Sequence, residues 1–344
     1  MTIPDALLRE GLMRWRAAPW RLYPTRSLPP LTLVGTGQSL DYVARQLGRD
    51  PAQATAARPV PAWRLGPALQ RHLEQDGIVL ARLPCPLATR LCPMGLLMPE
   101  LVDSVIDVAE ERWLRSRSAR SNLQRIADHR LTWRLSTGSA AVERFYTHCY
   151  LPYLQARHGS GAALRSRRSL ARDAAHGGIQ EVCLDGETVA AQLVGFGPDE
   201  LQCIAVGVPG DGELARESGA IAATTAFAIE LARQRGLAFV NLGGSLPLRR
   251  NPVLLSKSYW GARVTLRPRA DHDLLLAWRV WSPSVARILT TLVPILRSPH
   301  GLVSVEVPGL RPLHGLSASL QIPPGASSRD LAQMLMRDQR GLSD

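Results

Sequence analysis

At 344 residues, with 45% hydrophobic and 20% charged residues, the chain is long enough for two lobes and has the composition of a globular protein. Its 41 basic and 29 acidic residues leave a net charge of +12, which calls for an anionic partner: nucleic acid, a phosphorylated small molecule or a membrane surface. Five cysteines, an odd count without CxxC or Cys/His spacing, argue against a disulfide framework and a zinc site, and an N-terminus interrupted by Arg9, Arg14 and Arg16 lacks the apolar run of a signal peptide. A cytoplasmic protein with reduced thiols is expected, with peripheral contact at the inner membrane surface as an extension of that reading.

Residues 1–66 are rich in Pro, Arg and Ala and hold one clear pattern, the strand "LTLVG" and the helix "SLDYVARQLG", capped by Ser39 and closed by Gly48. "DGIVLARLP" at 76–84 reads as a strand, and "CPLATRLCPMGLLMPE" as irregular chain. From Pro99 to His129, the spacing of Leu101, Val105, Val108, Trp113, Leu123 and Ile126 predicts one long helix or two shorter ones. "LTWRLST" is a strand, and "GSAAVERFYTHCYLPYLQARHG" a helix broken near Pro152 and ended by Gly159. Residues 177–208 predict three antiparallel strands joined by turns at Asp185-Gly186 and "GPDE". A helix capped by Ser218 and closed by Gly236 leads to the strand "LAFVNLGG". A two-turn helix follows, with Asn251 as cap, Pro252 in its first turn and Gly261 after its end. Residues 271–344 add "LLLAWRVW", an apolar helix over 284–296, a strand "LVSVEV" and a polar tail from about 325. The region from Arg279 to Arg297, apolar with spaced arginines, reads either as lying on an anionic membrane surface or as a packing helix buried in the core.

One residue stands out by composition. Lys257 is the only lysine in the chain, and it shares a face of the two-turn helix with Val253, Leu254 and Trp260. Arginine would serve equally well for a solvated charge. Lysine offers a compact point charge, suited to a phosphate, a carboxylate or an oxyanion. His148, on the aromatic helix, is a candidate base, beside Glu181, Asp185 and Glu187. No GxGxxG or GxxxxGK[ST] loop is present, so a dinucleotide or P-loop site is unsupported.

The strand ending Asn241, Gly243, Gly244, Ser245, followed by Lys257, Trp260, Gly261 and Ala262, resembles the FemAB-like (BioF2-like) branch of the GCN5-related N-acetyltransferase superfamily. "RSRSARSNLQRIADHRLTWRLST", "FYTHCYLPYLQARHG" and "LDGETVAAQLVGF" fit the same pattern in the same order, over about residues 110–268. The resemblance implies an α+β fold of two lobes, each a mixed, mostly antiparallel sheet flanked by helices: 1–130 as a degenerate lobe, 131–270 as the acyltransferase lobe and 271–344 as an extension. It further implies acyl transfer to the amine of a small molecule or sugar. Acyl-CoA, or a carrier-protein thioester, would be the co-substrate, and no bound cofactor is implied. Lys257 and Tyr150, with His148, would then be catalytic. Arg115, Arg120, Asn122, Arg157, Gly243, Gly244, Ser245 and Trp260 would line the substrate, and Arg216, Ser218 and Gly219 would hold the CoA pyrophosphate at a helix start. Two alternatives stay open: an aminoacyl-tRNA-dependent transferase of the peptidoglycan-bridge type, and a non-catalytic basic protein that binds nucleic acid or an anionic membrane.

Overall fold

The computed structural model describes residues 18–23, 31–35, 38–47, 55–74, 77–158, 164–268, 270–307, 310, 313–323 and 325–337. Sixteen strands are present among them: β1 (Ala18–Tyr23), β2 (Leu31–Val34), β3 (Thr55–Val60), β4 (Ile78–Pro84), β5 (Leu96–Pro99), β6 (Val102–Asp107), β7 (Thr132–Ser136), β8 (Gly177–Leu184), β9 (Glu187–Phe196), β10 (Glu200–Gly207), β11 (Phe239–Ser245), β12 (Arg263–Leu266), β13 (His272–Trp278), β14 (Ile295–Ser298), β15 (Gly301–Val305) and β16 (Leu316–Leu320). They form two compact units. One holds residues 1–102, 245–254 and 265–344, the other 103–244 and 255–264.

The first unit is built on a six-stranded sheet, β3-β1-β2-β4-β13-β5, in which only β2 and β4 run parallel. Alternate residues of β4 and β13 face opposite ways, so the sheet buries an apolar layer on each side. Leu80, Leu274, Leu276 and Trp278 pack with the helices Gln38–Gln46 and Pro283–Leu292. Val79, Ala81, Leu83 and Leu275 pack with Leu65–Glu74 and Cys85–Leu91. A second sheet, β14-β15-β16, completes this unit.

The second unit is a seven-stranded sheet, β12-β6-β11-β10-β9-β8-β7. Its β7-β8-β9-β10 portion is antiparallel, with Asp185 and Gly186 at φ 50° and 87° in the β8–β9 turn, as a two-residue hairpin with a Gly at its second position favours. The helix Ala220–Gln234 then crosses over the sheet and returns the chain parallel to β10 as β11. Phe227, Ala228, Leu231 and Ala232 of that helix are buried over Val182, Val194 and Val240. The opposite face carries Phe145, Cys149, Tyr150 and Leu170 against Ile179, Ala191 and Leu193.

The two halves of the chain repeat one order of elements. β4 is followed by a short helix, β5 and β6; β11 is followed by a short helix, β12 and β13. In each case the last strand leaves its own half: β6 inserts between β11 and β12, and β13 between β4 and β5. The units therefore differ from the continuous segments 1–130, 131–270 and 271–344 expected from the sequence. Strand exchange leaves no local signal, because a strand's periodicity reports which faces are buried and not which neighbour it pairs with.

Several elements also differ from the sequence reading. The helix expected from Pro99 is the strand β6, followed by a 3-10 turn Arg112–Arg115 and the helix Arg117–Asp128. The apolar spacing of Val102, Val105 and Ile106 suits either element, and burial within a sheet decided it. "CPLATRLCPMGLLMPE" is the helix Cys85–Leu91, a 3-10 turn and β5. Pro152 does not break its helix. The six residues Phe145–Tyr150 widen into a π-helix just before it, and the helix resumes at Leu151. Ser39 lies inside its helix and donates to Glu100. Gly48 and Gly159 lie outside the described residues. "LLLAWRVW" contributes to β13, the apolar helix ends at Leu292, and the polar tail holds the helix Ser328–Arg337 with Leu331 buried. Val285, Ile288, Leu289 and Leu292 are spent on the core, so that apolar face is not available to a membrane. No helix among the described residues is long and apolar enough to cross a membrane.

Candidate active site at a fork between two strands

The parallel ladder between β10 and β11 holds only three pairs and stops at Gln202↔Asn241. At the next residues β10 shifts register against β9, between Cys203 and Ala205, and such an irregularity re-aims a strand. Beyond it β10 runs on to Gly207 and β11 to Ser245 with no ladder between them, so the strands form a fork.

The base of the fork is held by backbone and amide groups. Asn241 Oδ1 accepts from Gly243 N at 2.9 Å, closing a local side-chain turn within β11 where the ladder to β10 stops. Gly243 has φ 76°, and a Cβ there would lie 2.9 Å from the carbonyl oxygen of Cys203; both facts require glycine. Asn241 Nδ2 donates to Oδ2 of Asp103, a 5%-exposed carboxylate that the exchanged strand β6 brings to this point, at 3.4 Å. Helical spacing over 99–129 does not point to Asp103; a carboxylate within an apolar strand is the available signal.

The lysine meets backbone rather than solvent. Asn251 Oδ1 accepts from the N–H groups of Val253 and Leu254, which starts the helix Pro252–Ser258. Lys257, in its last turn, donates from Nζ to the carbonyl oxygens of Gly243 at 2.8 Å and Gly244 at 3.1 Å. The ammonium thus takes the place of a neighbouring strand for two strand-end acceptors. Trp260 is buried against Trp113, ring centroids 6.4 Å apart, and supports this turn from below. A Cβ on Gly261 (φ 72°) would sit 2.9 Å from Arg112 Cβ and 3.0 Å from Trp113 N, so the two turns touch through that glycine. Ser245 is buried at the end of β11.

Cys203 lies at the fork, and burial pushes its thiol up to about 12 despite the opposing effect of Lys257. Cys149 is raised in the same way to about 11. Both stay protonated near neutrality, which does not suit a nucleophilic thiol.

The helix Ala220–Gln234 starts without a side-chain cap. Gly219 stands before it at φ 77°, while the Ser218 hydroxyl donates back to Leu214 O at 2.6 Å, so Ser218 does not cap the helix as expected. A Cβ on Gly219 would meet Arg125 Cδ at 2.9 Å. The arginine stem therefore lies on the helix start, where a cation opposes the helix dipole unless an anion joins it. In the sequence Arg125 closes the basic run Arg115–Arg125, which reads equally as a solvated face or as the seat of an anion. Arg216 is exposed.

The remaining expected residues fall in two places. Arg115, in the 3-10 turn, and Arg120 are exposed and Asn122 is half-buried, the last two on the helix Arg117–Asp128 that also carries Arg125. His148, exposed, and Tyr150, buried, lie on the π-helix. That helix presses on the far arm of the fork so closely that a Cβ on Gly207 would be 2.5 Å from the Cys149 carbonyl carbon. Tyr150 accepts from Arg165 N at 3.1 Å and stacks near Phe145 and Tyr146. Arg157 is exposed and donates to Tyr153. Of the expected set, Lys257 joins Gly243 and Gly244 by hydrogen bonds at the fork, and the N–H of Trp260 donates to the Lys257 carbonyl at 3.0 Å.

No family model matches the chain, and no curated protein matches it in sequence. Among solved structures it is similar to FemX, at 11% identity over 75% of this chain and 84% of that one, with a TM-score of 0.42. L-PGS from Bacillus licheniformis gives 10% identity over 84% and 96%, TM-score 0.38. A GCN5-related N-acetyltransferase from Sphaerobacter thermophilus gives 14% over 79% and 84%, TM-score 0.32. At these identities and scores the likeness assigns no activity.

Proposed function

We propose that the chain is an acyltransferase that forms an amide, moving an acyl group from an acyl thioester, acyl-CoA foremost, to the amine of a small molecule or sugar. The observation that carries this reading is the fork: two strands part just past Asn241, with the uncapped helix start at Gly219 and Arg125 within the same unit. An extended thioester arm has the edge of β10 past Cys203 to pair with, the Gly243 and Gly244 carbonyls of β11 being held by Lys257. Its phosphates meet the helix N–H groups and Arg125. The acyl carbonyl then lies toward the Asn241–Gly243 turn, where the free amine attacks the carbonyl carbon. The C–S bond breaks, the thiolate leaves, and the proton lost by nitrogen goes to a base. Asp103, held by Asn241, is the carboxylate at that end of β11 and is assigned this role in place of His148. In this reading Lys257 shapes the strand end and Cys203 takes no covalent part.

Thermal unfolding with acetyl-CoA, longer acyl-CoAs and desulfo-CoA tests the proposal. A ligand at a hundred times its Kd raises stability by about 2.7 kcal/mol. If no member of the series raises the midpoint, the thioester reading fails.

A further inference from the structure

The 3-10 turn Arg112–Arg115 and the turn Tyr259–Gly261, which leads into β12 at Arg263, carry exposed side chains that take no part in the fork. The two turns are in contact, since Gly261 packs directly on Arg112 and Trp113, and the buried Trp113–Trp260 pair beneath them fixes both. Each turn presents a large apolar side chain to solvent, Leu114 and Tyr259, both 39% exposed. Around them stand Arg115, Arg117 and Arg263, all exposed, and no carboxylate pairs with any of the three among the described residues. The acidic groups nearby are already engaged: Glu110 with Arg112 at 2.5 Å, and Glu111 with Arg233 at 2.7 Å. Arg117 and Arg120 also occupy the first turn of the helix Arg117–Asp128, where no acidic residue balances them and a cation opposes the dipole. A negatively charged surface would relieve that cost.

We propose that this face docks on an anionic lipid surface, with Leu114 and Tyr259 entering the headgroup region and Arg115, Arg117 and Arg263 meeting lipid phosphates. Charge complementarity selects an anionic partner. The projecting leucine beside an aromatic ring of amphipathic character selects a membrane over a nucleic acid, because a leucine gains by leaving water but offers nothing to a phosphodiester chain. The proposal does not depend on the acyltransferase reading.

Co-sedimentation of the full chain with vesicles of phosphatidylcholine alone, or of phosphatidylcholine with phosphatidylglycerol, tests it. The chain should sediment with the anionic vesicles only, and less so as salt is raised. Arg115→Gln and Arg117→Gln should each weaken partitioning roughly five-fold. The double variant Leu114→Ser/Tyr259→Ser, which keeps every charge, should weaken it by about ten-fold or more. All four side chains are exposed, and circular dichroism checks that the variants fold. The proposal is overturned if the wild type ignores anionic vesicles, or if the Leu114/Tyr259 variant binds them as well as wild type. It is also overturned if single-stranded RNA displaces the vesicles and binds that variant undiminished, which would mark a nucleic-acid surface.

Discussion

Replacing Lys257 by methionine keeps most of the apolar stem and removes the ammonium. Two bonds are lost, to Gly243 O at 2.8 Å and Gly244 O at 3.1 Å. Hydrogen bonds from a charged donor contribute roughly 1.5–3 kcal/mol each. Both glycines are half-buried, so water can reach their carbonyls and recover part of this. The expected loss is therefore about 2–3 kcal/mol in total, or on the order of 4–12 °C in Tm for a unit of this size. Lys257→Arg should lose less, about 1 kcal/mol, because a planar fork keeps the charge but cannot place one donor between two adjacent carbonyls. Urea unfolding followed by fluorescence reads the difference as a lower midpoint with an unchanged slope. A lysine serving only as an exposed cleft cation would leave stability untouched. An unaltered midpoint in Lys257→Met would refute the clamp.

Other outcomes follow from particular contacts. Gly207→Ala, at a position without positive φ, forces a Cβ to within 2.5 Å of the Cys149 carbonyl carbon and should cost about 2–3 kcal/mol by denaturant unfolding. Cys85 and Cys203, both pushed up to about 12 and chiefly by burial, should react with iodoacetamide at pH 8 far more slowly than a free thiol, until the protein is unfolded. His72 is lowered by burial, with its Nε2 2.7 Å from Thr32 Oγ1. The unfolded chain takes up this proton first, so stability should fall as pH drops below about 6.5 toward the depressed folded value. His72→Gln should flatten that slope in unfolding midpoints measured between pH 7 and 5.

How far the chain could be read from its sequence depended on where each signal is stored. The β8–β9–β10 meander, the crossover helix and the strand–helix–strand that follows are local patterns, written in Asp185-Gly186, Gly236 and Asn251-Pro252. Lys257 was conspicuous as the sole lysine, and its helix was legible from the cap. Its partners were not, because Gly243 and Gly244 offer carbonyls, and a carbonyl leaves no trace in side-chain chemistry. The exchange of β6 and β13 was hidden for a related reason. "VDSVID" states that it is buried, not beside which strand, and with it went Asp103. The resemblance implies Tyr150 as a site residue and the aromatic helix suggests His148; Tyr150 packs against Phe145 and Tyr146, and its hydroxyl accepts from Arg165 N.

The central claim, that a thioester arm lies in the β10–β11 fork with its phosphates at the start of Ala220–Gln234, is tested most directly by calorimetric titration. The acyl-CoA most effective in thermal unfolding would be titrated into wild type and into Arg125→Glu, which puts a carboxylate over Gly219. The account predicts saturable one-to-one binding by wild type and a loss of at least about ten-fold in affinity for the variant, since reversing a charge beside a phosphate costs more than about 1.4 kcal/mol. Equal affinity in a folded Arg125→Glu protein would contradict it.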